Sequence, residues 1–183
     1  MAETLGLIAD THVPDRSPRL HPQALSIFER ARVSAILHAG DIAVPRVLAE
    51  LETVAPVLAV RGNRDWFGFH DLPYHRRLTV AGARIGLTHG HGSWAAYLRD
   101  KVRFLLRGPQ SFDYFMQRAI SLMPDVDVLV FGHNHEPMVK EVAGVLVVNP
   151  GSACCQIIPG RLPTEALLHL QDGKARAEIV DLV

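Results

Sequence analysis

Short apolar runs in this chain keep ending on the same few residue types. Thr4 to Ala9 stops at Asp10, "SAILHAG" at Asp41, "APVLAVRG" at Asn63, "ARIGLT" at His89 and "VDVLVFG" at His133. Each run is the length of a buried strand and too short for a helix core. Between the first three lie stretches with helical spacing: Ala24, Ile27, Phe28 and Ala31, then Val47 or Leu48, Leu51 and Val54 after Pro45. The first half therefore reads β-α-β-α-β with short links, which requires right-handed crossovers and a parallel sheet. In such a sheet, ligands gather beyond the carboxyl ends of the strands, where these polar residues fall.

The second half changes character. A hairpin is expected around Ala81-Gly82-Ala83, followed by two helical stretches parted by Gly108-Pro109. Trp94, Tyr97 or Leu98, Val102 and Leu105 stripe the first; Phe112, Phe115, Met116, Ala119, Ile120 and Met123 stripe the second. A strand over 126–131, a strand pair around Ala143-Gly144, the turn "NPGS" and a last hairpin at Asp172-Gly173 complete the pattern. With 183 residues and no repeat or linker, the reading is one α/β domain over 1–183, with a mixed sheet or two sheets. A chain of this length buries roughly 70% of its unfolded surface. The stretch from Trp94 to Met123 carries more large apolar residues than an outer layer needs, so part of it is expected to form a homodimer contact.

Composition narrows the function. Nineteen basic residues balance nineteen acidic ones, which gives no case for a dedicated nucleic-acid surface. No apolar run approaches the ~18 residues of a membrane span. The opening "MAETLGLIADTH" lacks the basic start of a secretion signal. The two cysteines, Cys154 and Cys155, are adjacent, a poor geometry for a relaxed disulfide, so they read as small buried residues in a reducing cytoplasm. The ten histidines are the oddity.

Asp10, His12, Asp41, Asn63, His89, His133 and His135 come from five segments. They are too many for one tetrahedral ion, and they include no thiolate, which argues against a structural zinc. Two divalent ions sharing a carboxylate, ~3.5–4 Å apart, fit the count, and such a pair supports in-line displacement at phosphorus.

In their order, D10-T-H12, G40-D41, G62-N63-R64-D65, T88-H89-G-H91 and G132-H133-N-H135 resemble the motifs of the calcineurin-like metallophosphoesterases, and of their small bacterial and archaeal phosphodiesterase branch in particular. The resemblance implies a four-layer α/β/β/α sandwich of two mixed sheets flanked by helices. It implies that Asp10, His12 and His135 hold one metal, that Asn63, His89 and His133 hold the other, and that Asp41 bridges them. Mn²⁺ is the first expectation, with Ni²⁺, Fe²⁺ or Zn²⁺ as alternatives. The implied activity is hydrolysis of a small phosphodiester by a metal-bound hydroxide. A phosphomonoester or nucleotide phosphatase is the runner-up, and a protein-binding scaffold like the retromer subunit of this fold is the reading from another class.

One position departs from the pattern. Larger relatives have a proton-donating histidine after the asparagine, and the small branch often has cysteine; here it is Arg64. Arginine cannot act as an acid near neutrality but can grip phosphate oxygens, unless it merely pairs with Asp65 or faces solvent. His91 is expected to contact substrate or orient His89, with an exposed loop position as the alternative. His38 is read either as support for a ligand or as a core hydrogen-bonding residue.

Overall fold

The structure, a computed structural model, describes residues 2–66, 68–154 and 160–183. Its elements run β1 (Glu3–Ile8), α1 (Pro22–Ala31), β2 (Ala35–His38), α2 (Arg46–Glu52), β3 (Val57–Ala59), β4 (His75–Val80), β5 (Ala83–Thr88), α3 (Trp94–Arg107), α4 (Phe112–Leu122), β6 (Val128–Phe131), β7 (Met138–Val142), β8 (Val145–Asn149), β9 (Thr164–Gln171) and β10 (Lys174–Asp181). They build two five-stranded sheets, ordered β10-β9-β1-β2-β3 and β4-β5-β6-β8-β7.

The first sheet is parallel across β1, β2 and β3, with Leu5 opposite Ala35 and Ile36 opposite Val57. The final hairpin returns across the chain to pair β9 antiparallel to β1. The second sheet is parallel across β5, β6 and β8, with β4 and β7 as antiparallel edges. Both sheets are mixed.

Strand periodicity distributes the core into three bodies. Leu5, Leu7 and Ala9 of the β1 segment point at the second sheet, where they meet Ile85, Leu87, Val128 and Val130. Ile8 points the other way, into a cluster with Phe28 of α1 and Val47 and Leu51 of α2. Leu129 and Phe131 of β6 turn outward against Met116 and Ala119 of α4. Strands buried on both faces must be apolar throughout, which explains the uninterrupted runs of β1 and β6. The result is the expected four-layer α/β/β/α sandwich.

Helix α3 does not pack on the sheet through its apolar stripe. Its only buried residue is Asp100, whose carboxylate binds Arg118 and the hydroxyl of Tyr114 on α4. The helix thus docks through a polar cluster, and Leu98, Val102, Leu105 and Leu106 are left exposed, Leu105 by 81%. The α4 stripe does pack: Met116 and Ala119 are buried, with Phe112, Phe115 and Ile120 packed against them.

Candidate metal centre

Each donor expected from the sequence sits at or just beyond a strand end, and the backbone there is bent sharply. Asp10, His12, Asp41, His133 and His135 have φ of 52°, 46°, 55°, 80° and 57°. The left-handed region is costly for residues other than glycine, and such strain concentrates at functional sites. Neighbouring glycines let the loops close. A Cβ on Gly62 would lie 2.2 Å from Asp41 N, and one on Gly132 would lie 2.8 Å from Asp10 Oδ2.

The loops are stitched together by hydrogen bonds. Asp10 N–H donates to Gly40 O and His12 N–H to Asp41 O, at 2.9 and 3.1 Å. His133 N–H donates to Asp10 Oδ2 at 2.9 Å, which joins the two sheets at the site. Asp65 is buried and accepts from the amides of Asp41, Ile42, Ala43 and Gly62, at 3.0, 2.8, 2.8 and 2.8 Å. The "NPGS" turn adds Asn149 Nδ2 to Gly132 O and Asn134 Oδ1, and Ser152 Oγ to Asp10 O at 2.7 Å.

Within this frame the donors form two groups. Ligand atoms of Asp10, His12 and His135 lie within 4.8 Å of one another, as do those of Asp10, Asp41 and His89. His12 Nε2 and His135 Nε2 are 3.0 Å apart, and His135 Nε2 is 3.3 Å from Asp10 Oδ1. Asp41 divides its oxygens, with Oδ2 3.7 Å from His12 Nε2 and Oδ1 3.4 Å from His89 Nε2. Asn63 Oδ1 is 3.0 Å from His89 Nε2. The His133 ring stands beside this second group, its centroid 5.1 Å from that of His89.

The donor set fits divalent cations. His89 Nδ1 lies 2.7 Å from Ala39 O; a carbonyl only accepts, so Nδ1 carries a proton, and Nε2 is the ring nitrogen that faces the oxygens of Asp41 and Asn63. Asp10 Oδ1 is buried, 3.3 Å from His135 Nε2 and 3.8 Å from His12 Nε2. Burial drives the Asp41 carboxyl up to about 6 despite His89, with Asp10 and Asp65 adding to the rise, so it is short of positive charge. Burial also raises Asp10, but His135, His89 and His12 together outweigh it and hold that carboxyl well below its usual range. Burial lowers His12 to about 4 and His133 well below the usual imidazole value, leaving neutral rings suited to coordination.

The remaining candidates fall as follows. His91 is buried, its ring 5.3 Å from that of His89, with Nδ1 lacking a hydrogen bond; the exposed-loop alternative does not hold. His38 is a core residue, with Nε2 3.3 Å from Thr11 Oγ1 and Nδ1 accepting from Gly40 N–H. The Arg64 side chain turns to Asp15, its Nη1 3.3 Å from Asp15 Oδ2 with both side chains about two-fifths exposed, while its backbone N–H donates to Asp41 Oδ1 at 2.7 Å. Cys154 is half-buried, with Sγ 3.5 Å from Ser152 Oγ, and Cys155 lies outside the described residues. Sequence reading missed the role of Asp65, which appeared there only as a partner for Arg64. Its place at the end of G62-N63-R64-D65, just past the third strand, was the available signal, but its acceptor role depends on a loop more than 20 residues away.

This fold and this cluster define a phosphoesterase class. Residues 4–173 match the calcineurin-like phosphoesterase superfamily domain, and the chain belongs to that superfamily. It is 35% identical to a probable metallophosphoesterase of Methanothermobacter thermautotrophicus, over 96% of this chain and 91% of that one. It is 26% identical to a phosphodiesterase of Methanocaldococcus jannaschii, over 97% and 99% of the two chains. Among solved structures it resembles vacuolar protein sorting 29 of Cryptosporidium parvum, with TM-score 0.72, 22% identity and coverage of 98% and 97%. That last likeness concerns the fold.

Proposed function

We propose that the protein is a two-metal phosphodiesterase acting on a small phosphate ester. The carrying observation is that Asp41 turns one oxygen toward His12 and the other toward His89. Asp10, His12 and His135 would hold one ion; Asn63, His89 and His133 would hold the other. Two bound divalent ions supply an activated water and positive charge opposite the phosphoryl oxygens. Asp10 and Asp41 fix the donor geometry, and Asp65 holds the Asp41 loop in place. Arg64, at the exposed rim, exchanges its contact with Asp15 for a phosphoryl oxygen. His91 contacts the substrate from beside His89. Mn²⁺ is our first choice of ion.

Support for a diester comes from the Methanocaldococcus relative named as a phosphodiesterase. Among the described residues no helix is long and apolar enough to cross a membrane. We place the protein in a reducing cytoplasm, as a homodimer through α3. The scaffold reading draws on the vacuolar sorting likeness, but the full donor set favours an enzyme. Metal analysis and a panel of diesters, monoesters, and cyclic and dinucleotides with Mn²⁺ tests the proposal. We expect two ions per chain and the highest kcat/KM on a diester. A metal-loaded protein that hydrolyses nothing on the panel would favour the scaffold, and one acting on monoesters alone would favour a phosphatase.

A further inference from the structure

A cavity of about 340 Å³ opens beside the metal centre, sharing His133 and His135 with it. Its aromatic and apolar wall comes from α3, α4 and the link between them: Tyr97, Phe104, Pro109, Phe112 and Phe115. Phe115 meets His133 edge-on at 5.0 Å, and Tyr97 does so at 6.5 Å. The aromatic surface continues from Tyr97 to Trp94 at 5.4 Å and on to Trp66 at 4.4 Å, so it includes both tryptophans of the chain. Phe104 remains 52% exposed, an apolar ring without full cover.

Lys101, Arg161 and Glu136 also line the cavity, while the Asp100 carboxylate is already held by Arg118, so the aromatic residues carry the selection. The volume is at the small end for ligand pockets, room for one ring system and not for a long acyl chain. Aromatic walls favour an aromatic guest, in offset or edge-on contact.

We infer that this cavity seats the alcohol group that the reaction spares, and that this group is aromatic. The substrate is then an aryl-bearing phosphodiester, with Phe104 as the residue that sets the preference. The inference rests on the phosphodiesterase reading and deepens it.

The test compares bis(4-nitrophenyl) phosphate with ethyl 4-nitrophenyl phosphate on the Mn²⁺-loaded protein. Both release nitrophenolate, so the ratio of their kcat/KM values follows the spared group. Phe104→Ala, at a half-exposed helical site where alanine is well tolerated, should lower that ratio about tenfold, and Phe104→Tyr should keep it. If both esters are hydrolysed and the ratio is the same in wild type and Phe104→Ala, the inference falls and the phosphodiesterase reading survives. Calorimetric binding of phenylphosphonate and ethylphosphonate needs no turnover. A phenyl preference of about tenfold that is lost in Phe104→Ala supports the pocket even if neither ester is hydrolysed, in which case it is the activity that fails. Equal binding of the two phosphonates by wild type overturns the pocket.

Discussion

Asp41 and Asp10 look alike in sequence but spend their oxygens differently. Each gives one oxygen to a backbone amide, Asp10 Oδ2 to His133 and Asp41 Oδ1 to Arg64, but Asp41 also turns Oδ1 toward His89 and Oδ2 toward His12. Asp41→Asn should therefore lower bound metal and kcat/KM more than Asp10→Asn does, as measured by metal analysis and steady-state kinetics. The reverse order would remove Asp41 from the bridging position. Arg64 has only an exposed ion pair to give up, worth ~0–1 kcal/mol, so it is available to substrate. Arg64→Ala should cost kcat/KM ~1.5–3 kcal/mol with metal content unchanged. A wild-type rate would leave Arg64 at the rim with no phosphate contact. Glu165 on β9 is fully buried, with both carboxylate oxygens lacking hydrogen bonds, and burial pushes it up to about 9. The folded state keeps this proton across a window in which the unfolded chain, with an ordinary glutamate, has released it. Stability must then fall as pH rises from about 4.5 to 9, by up to ~1.4 kcal/mol per pH unit. Thermal melts of Glu165→Gln should lack that component of the decline; a slope equal to wild type would mean that Glu165 ionises without penalty.

At the scale of elements, the site depends on Asp65, which binds four amides from the turns after β2 and β3. Losing a buried charged acceptor of this kind costs more than a single bond, so Asp65→Ala should destabilise the fold by at least ~3 kcal/mol. Titration of the surviving folded fraction should also show weaker metal binding, although Asp65 is not in either donor group. Denaturant curves within ~1 kcal/mol of wild type would show that the Gly40–Asp41 turn holds itself. The contrast between α3 and α4 belongs here too. Both have striped sequences, but α4 covers Leu129 and Phe131, while α3 is held by Asp100 and Arg118 and leaves its stripe outside.

For the whole molecule, that stripe is the surface most in need of a partner. Leu98, Val102, Leu105 and Leu106 are all more than half exposed. We expect light scattering to give a dimer at micromolar concentration and Leu105→Glu to shift it to monomer. A monomer in the wild type would mean that the face is simply solvated. On the proposed assignment both sheets must be intact for metal to bind, because Asp10 comes from one and His133 and His135 from the other. Chelation should abolish hydrolysis and Mn²⁺ should restore it; a fully demetallated protein with an unchanged rate would refute the two-metal mechanism.

Local periodicity was enough to read the strands, the helices and the donor residues at their ends. Strand runs buried on both faces must be apolar, and they make an Asp or His at their termini conspicuous. The turn residues at Gly82, Gly144 and Gly173 marked all three hairpins for a similar reason, since few other residues accept positive φ. What the sequence could not settle was each choice between distant partners: one mixed sheet or two, β9 pairing with β1, Asp65 turning to the Asp41 loop and not to Arg64, and α3 docking on its polar side. Each turns on contacts whose energy depends on which surfaces meet, as in the bond from His133 N–H to Asp10 across 123 residues. Periodicity records that a face is apolar; only the assembled sandwich decides whether anything covers it.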